Sequence, residues 1–247
     1  MTEIIILAAG KGRRMGTKLP KVLVPLNGRP MISYLLDSVK ALNIGTKPIL
    51  VVSPDNIDLM KEQLQEYNVK YALQTEQLGT GHAVASAKDQ VNPKADKVIV
   101  LYGDHPFIKS DSIEKLYTNH RDALSLMSVK LEDFADWRQG FYRWGRLVRS
   151  NNGALERIVE FKDASDEIKN IKEVFPAIFC LDANWLWENI AKLKNNNNQK
   201  EYYLTDLVGM AFAQGREMQT TVIEPQEGMG INSQAELKIA QENIINN

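Results

Sequence analysis

The chain has 247 residues, with thirty Lys plus Arg against thirty-one Asp plus Glu and a formal net charge of -1, enough length to bury the core of one large α/β domain. That balance excludes a general basic field for nucleic acid or anionic membrane, so any anion site must be local. A single cysteine, Cys180, excludes an internal disulfide and a multi-cysteine zinc site and suits a reducing compartment.

In chain order, residues 4–7 read as a buried strand, and the apolar run is broken by Gly10 before a basic segment. It is far short of the roughly 20 residues that cross a bilayer. It also precedes its positive charges, the reverse of a signal peptide. A cytoplasmic protein with neither membrane nor nucleic-acid partners is expected. Further strands are expected at 49–52, 71–73 and 98–102, alternating with helical patterns at 31–42, 56–67 and 82–91. This alternation marks βαβ units and a Rossmann-like, mainly parallel α/β sheet, and strands apolar on both sides need helices on both faces. The second half is less regular. A strand at 125–129, an aromatic and basic stretch at 137–149, a hairpin around Asn151, Asn152 and Gly153, and strands at 157–161, 177–181 and 220–224 form an α+β excursion. Helices are expected at 185–193, 204–214 and 234–245. No linker or internal repeat interrupts the chain, so a single domain over 1–247 is expected.

The strongest local signal is the passage from the first strand into Leu7, Ala8, Ala9, Gly10, Lys11, Gly12, Arg13, Arg14, Met15 and Gly16. Glycines in such a turn let main-chain N–H groups approach phosphates. A P-loop requires four residues between its glycines and then Lys-Ser/Thr, whereas Gly10 and Gly16 enclose five and precede Thr17-Lys18. A dinucleotide fingerprint fails at Met15, where it needs its third glycine. What remains is a turn with Lys11, Arg13, Arg14, Lys18 and Lys21 within eleven residues, suited to a polyphosphate, with a solvated basic loop as the plainer alternative. A second signal is Asp104, in Leu101-Tyr102-Gly103-Asp104-His105-Pro106, at the carboxyl end of a strand, where open α/β sheets bind ligands. A magnesium ion takes one or two carboxylates and fills its other positions with phosphate and water, which one such aspartate can serve. A simple turn aspartate is the alternative there.

The glycine-rich turn, with Leu19-Pro20-Lys21 after it, resembles the signature of the sugar-phosphate nucleotidyltransferases. Within them it most resembles the uridylyltransferase domain of bacterial N-acetylglucosamine-1-phosphate uridylyltransferases, and the likeness runs from Ile5 to about Asn232. It implies a Mg2+-dependent enzyme joining UTP and a sugar 1-phosphate, with a nucleotide-binding half over about 1–110 and a sugar-binding half over about 111–232. The resemblance assigns Arg14 and Lys21 to charge on the phosphates, and the main chain from Leu7 to Gly12 to the triphosphate. It assigns Gln74, Gln77, Gly79, Thr80 and Gly81 to the nucleotide, and Asp104 with Asn232 to the metal. Gly103, Gly145, Glu160, Tyr202 and Thr205 fall to the sugar.

Two departures bear on the sugar. Phe175-Pro176-Ala177 stands where the family commonly has Asn-Thr-Gly, and the segment before Gly145 is richer in aromatics, with Trp144 in place of tyrosine. Another sugar or base, such as glucose 1-phosphate or GTP, stays open, as does a nucleotide-sensing module without turnover. Hexapeptide repeats of a left-handed β-helix are absent from these residues, so acetyl transfer is not expected of them.

Overall fold

The computed structural model describes residues 1–10, 12 and 15–243. Its elements in chain order begin with β1 (Thr2–Leu7), a small hairpin of β2 (Pro25–Leu26) and β3 (Arg29–Pro30), α1 (Met31–Ala41), β4 (Ile49–Val52) and α2 (Ile57–Gln63). They continue with β5 (Lys70–Leu73), α3 (Thr80–Ser86), β6 (Lys97–Tyr102), α4 (Ser110–Asn119), β7 (Leu124–Lys130), β8 (Arg146–Arg149) and β9 (Leu155–Val159). The remainder is α5 (Asp166–Lys169), β10 (Glu173–Val174), β11 (Phe179–Asp182), α6 (Ala183–Asn189), α7 (Asp206–Ala213), β12 (Met218–Ile223), α8 (Pro225–Gly228) and α9 (Gln234–Asn243).

Strands β5, β4, β1 and β6 pair in parallel, and β11 joins β6 antiparallel before β7. On β7, β12 runs parallel along one edge, while β11 and β10 share the other edge in succession. The β8–β9 hairpin then extends the sheet from β10. Strand periodicity sorts the core. In β1, Ile4 and Ile6 face α1, α2, α4 and α9, whereas Ile5 faces α3, α6 and α7. Every one of these three isoleucines is fully buried, which is why β1 reads as a continuous apolar run. The expected Rossmann-like sheet with helices on both faces is borne out.

Some boundaries differ from expectation. Helix α2 stops at Gln63, because Leu64 leaves helical geometry at φ -117° and the chain turns to reach β5. Helix α3 starts at Thr80, two residues before the expected start, and a 3-10 turn at Lys88–Gln90 replaces its expected end. The aromatic stretch is a 3-10 segment, Asp136–Arg143, leading into β8. Strand β9 ends at Val159, one residue before Glu160. The last helix is described to Asn243, and its expected continuation to 245 lies outside the described residues. Among the described residues, no helix is long and apolar enough to cross a membrane.

Candidate active site

The carboxyl ends of β1, β4, β5 and β6 open on one side of the sheet, where a cavity of about 530 Å3 lies. Leu7, Ala8, Ala9 and Gly10 line it as β1 ends, with Lys21, Gln74, Gln77, Gly79, Thr80, Asp104, Glu160 and Asn232 around it. A second cavity of about 210 Å3 adjoins it and shares Thr80, Tyr102, Asp104, Glu160, Glu201 and Asn232. Gly145, Trp144, Arg143, Phe175 and Ala177 complete the second wall.

The glycine turn is pinned from several sides. The Asn56 amide donates to the Ala8 carbonyl at 3.3 Å and the Gln77 amide to the Ala9 carbonyl at 2.7 Å. Among the described residues the Ala9 and Gly10 N–H groups have no acceptor. Gly12 has φ +57°, and a β-carbon on it would lie 2.6 Å from Cβ of Lys21; glycine is what lets the turn lie against the lysine main chain. Lys21 itself opens a short 3-10 helix after Pro20 and is followed by the buried Val22 and Leu23. Lys11 and Arg14, expected at the phosphates, lie outside the described residues, as does Arg13.

The Gly79–Gly81 loop is fixed largely through the main chain. Gly81 donates to the Tyr202 carbonyl and Tyr202 to the Leu78 carbonyl, each at 2.8 Å, and the Thr80 hydroxyl accepts from Leu204 N at 2.9 Å. A β-carbon on Gly79, at φ +110°, would meet the Tyr202 carbonyl at 2.7 Å. Gln74 is buried, and its amide donates to the Gly79 carbonyl at 3.1 Å beside His82 Nδ1 at 3.2 Å.

Asp104 and Asn232 come from segments far apart in the chain. The main chains of their segments join where Ile231 N donates to the Asp104 carbonyl at 2.8 Å. The start of α9 is held by a capping arrangement in which Glu236 accepts from Asn232 N at 2.7 Å and Ser233 Oγ accepts from Glu236 N at 3.3 Å. Lys21 Nζ donates to Asp104 Oδ2 and, at 3.1 Å, to Asn232 Oδ1. Burial pushes the Asp104 carboxyl up, but the Lys21 ammonium, together with His105 and a main-chain hydrogen bond, holds the group below the usual carboxylate range. Burial pulls the neighbouring His105 down. Its Nδ1 lies 3.0 Å from the Gly228 carbonyl, so the ring packs as a neutral neighbour beside Asp104 and Trp144.

On the second wall, Glu160 turns inward just past β9 and accepts from the Thr205 hydroxyl at 3.0 Å. Burial raises its pKa, and nearby Asp206, Asp163 and Glu201 raise it further against the Thr205 bond. Gly145 sits over β9, where a β-carbon would meet Ile158 Cγ2 at 2.9 Å, and Gly103 is similarly close to Val22 Cγ1. Phe175 and Ala177 belong to an interruption between β10 and β11 in which four residues, 175–178, oppose two on β7. Ala177 there has φ +60°. Of the expected sugar residues, Gly145 and Glu160 line the cavities, whereas Gly103, Tyr202 and Thr205 do not; the Tyr202 main chain braces the Gly79 loop while Glu201 and Tyr203 reach the wall. Tyr102, which lines both cavities, was not among the expected contacts. Its position as the last residue of β6, one before Gly103 and Asp104, is the signal that marks it.

Main-chain donors at a glycine turn, with a lysine, a carboxylate and an amide oxygen meeting in front of them, are what transfer from a nucleoside triphosphate requires, and the chain is a nucleotidyltransferase. It belongs to the MobA-like NTP transferase domain family, whose model matches residues 4–196. The bifunctional protein GlmU of Clostridium botulinum (strain Eklund 17B / Type B) is 38% identical over 238 residues, spanning 96% of this chain and 51% of that protein. GlmU of Desulfotalea psychrophila is 38% identical over 245 residues, spanning 98% of this chain and 70% of that protein. The chain therefore spans about half the length of its clostridial relatives. A putative glucose-1-phosphate thymidylyltransferase from Bacillus anthracis superposes with TM-score 0.74 at 20% identity, covering 98% of this chain and 94% of that one. The inositol-1-phosphate CTP transferase from T. maritima does so with TM-score 0.73 at 17%, covering 98% and 97%. These superpositions establish the fold, and the family membership bears out the resemblance noted from the motifs.

Proposed function

We propose that this chain is a Mg2+-dependent uridylyltransferase that joins UTP to a sugar 1-phosphate, N-acetylglucosamine 1-phosphate foremost, releasing pyrophosphate. The observation that carries this reading is the meeting of Lys21, Asp104 and Asn232 where the two cavities join. In this reading the larger cavity takes the nucleotide, with Gln74 and the Gly79–Gly81 loop at the base and the Leu7–Gly10 main chain and Lys21 at the phosphates. The smaller one takes the sugar, with Glu160 at a hydroxyl.

Asp104 and Asn232 offer hard oxygens that already converge on one cation, the Lys21 ammonium, which fits a magnesium site completed by phosphates and water. Among the described residues no cluster of three or more His, Cys, Asp or Glu forms a full metal cage. Bound there, Mg2+ would supply positive charge to both phosphates.

The sugar phosphate, at about -1.5 to -2 charge near neutral pH, needs positioning and charge neutralisation more than deprotonation. One of its oxygens attacks the α-phosphorus of UTP in line. The new P–O bond forms as the bond to the α–β bridging oxygen breaks, and pyrophosphate leaves with that electron pair. Lys21, and Arg14 by resemblance, offset the charge that builds on the transferring and leaving groups. The protein supplies no nucleophile.

A second reading of the same chemistry with another sugar is favoured by one observation. Phe175 brings no side-chain donor or acceptor to the second cavity, and its ring packs 4.6 Å from that of Phe179. Pyrophosphate release with UTP, Mg2+ and either N-acetylglucosamine 1-phosphate or glucose 1-phosphate, with and without chelator, tests both readings. Chelator-sensitive release with the N-acetyl sugar alone supports the first, release with glucose 1-phosphate alone supports the second, and release with neither refutes both.

A further inference from the structure

Lys21 serves two partners in the proposed reaction that it cannot satisfy at once. Its ammonium lies on Asp104 Oδ2 and Asn232 Oδ1, the two oxygens that would hold the divalent ion, yet the same side chain is the one assigned to phosphate charge. We infer that Lys21 is the resident cation of the metal site in the free protein, and that the triphosphate opens the site by drawing Lys21 away. The inference rests on the proposed function for the identity of the metal site.

The geometry allows such an exchange as a side-chain swing. The Lys21 main chain is fixed between Gly12, Pro20 and the buried Val22, while its stem projects into the larger cavity that Gly10 and Ala9 also line. The side chain of Lys21 is 17% exposed and that of Asp104 10%, so neither charge is well served by water if the pair is simply pulled apart. Leaving Asp104 becomes favourable for Lys21 only when another anion receives it, and leaving Lys21 becomes favourable for Asp104 only when another cation arrives. A triphosphate beside the Gly10 amide provides the first and a divalent ion the second. Each ligand thus removes an obstacle to the other, and by linkage the two bind with positive coupling.

The test uses Mn2+ as the probe, followed by loss of the free-ion electron paramagnetic resonance signal with no nucleotide present. Wild-type protein should bind Mn2+ weakly. Lys21→Met and Lys21→Gln, which remove the charge, should bind about tenfold tighter or more, and adding Asp104→Asn to Lys21→Met should abolish the gain. In chelator both single variants should melt below wild type, and Mn2+ should raise their melting temperatures more than that of wild type. Equal Mn2+ affinity in wild type and both variants, or no binding by any of them, overturns the inference. In wild type held in chelator, the 15N resonance of the Lys21 ammonium, assigned by its absence from Lys21→Met, should move when UTP is added; an unmoved resonance in UTP-saturated protein overturns the displacement by triphosphate. These readouts do not depend on turnover, so a failure here is distinguishable from absence of pyrophosphate release.

Discussion

Lys21 and Asp104 show how a residue's role follows from what surrounds it. Each could be an ordinary surface charge by composition, but together they form a largely buried pair at the mouth of two cavities. Alanine at either position should lower turnover by about 100-fold or more, measured as pyrophosphate release with folded protein verified by circular dichroism. Near-normal rates in both variants would remove them from the mechanism. Glu160 offers a different test. Its folded-state pKa is raised, chiefly by burial, so ionisation opposes folding once pH rises through that value. Glu160→Gln should therefore be more stable than wild type at neutral pH, and the difference should shrink as pH falls below the ordinary glutamate range. Denaturant melts across pH would reveal it, and a constant difference at all pH values would contradict the assignment. The same variant should lose sugar affinity, because a carboxylate acceptor is replaced by an amide. The acidic character of residue 160 was visible in the sequence, but its partial burial was not, since that depends on Thr205 and on Gly145 across the sheet.

At the scale of elements, the β8–β9 hairpin carries Gly145 and Trp144 to the second cavity, and Arg146 anchors it. The Arg146 residue is fully buried, and its guanidinium donates to the carbonyls of Trp144, Tyr142 and Lys169 while stacking 4.8 Å from the Phe134 ring. Arg146→Ala leaves three carbonyls without their donor and should cost on the order of 3 kcal/mol in chemical denaturation, with a raised KM for the sugar phosphate. Arg146→Lys should restore only part of this, because an ammonium lacks the planar fork. A loss below about 0.5 kcal/mol, the size of an ordinary surface change, would show that the hairpin is held by other contacts. Sequence reading placed the hairpin turn correctly at Asn151, Asn152 and Gly153, where Gly153 has φ +84°, because turn chemistry is local. It did not find the buried arginine or the interruption at 175–178. The first depends on Lys169 and Phe134, distant in sequence, and the second on the strands that β10 and β11 meet, which is a non-local choice.

Across the whole molecule, one sheet carries the strand ends that lead into the glycine turn and into Asp104, and the Ile231 main chain ties the segment of Asn232 to Asp104. Cys180 reports on that fold. It lies fully buried in β11, where burial pushes its thiol up to about 12. A thiol reagent such as Ellman's should leave the native protein unmodified and titrate one equivalent after unfolding in guanidinium; rapid labelling of the native chain would show that the centre of the sheet opens readily. The parallel βαβ half, the glycine turn, the strand-end Asp104 and the family were determined by sequence alone, because strand runs, helical periodicity and phosphate-binding turns are written in neighbouring residues. Tertiary structure alone decided that Lys21 sits between Asp104 and Asn232, that Tyr102, Glu201 and Tyr203 face the cavities, and that Tyr202 braces a loop instead. Those outcomes rest on contacts between residues far apart in the chain, and the energy of a buried charge or a main-chain brace depends on its partners in space rather than on its neighbours in sequence.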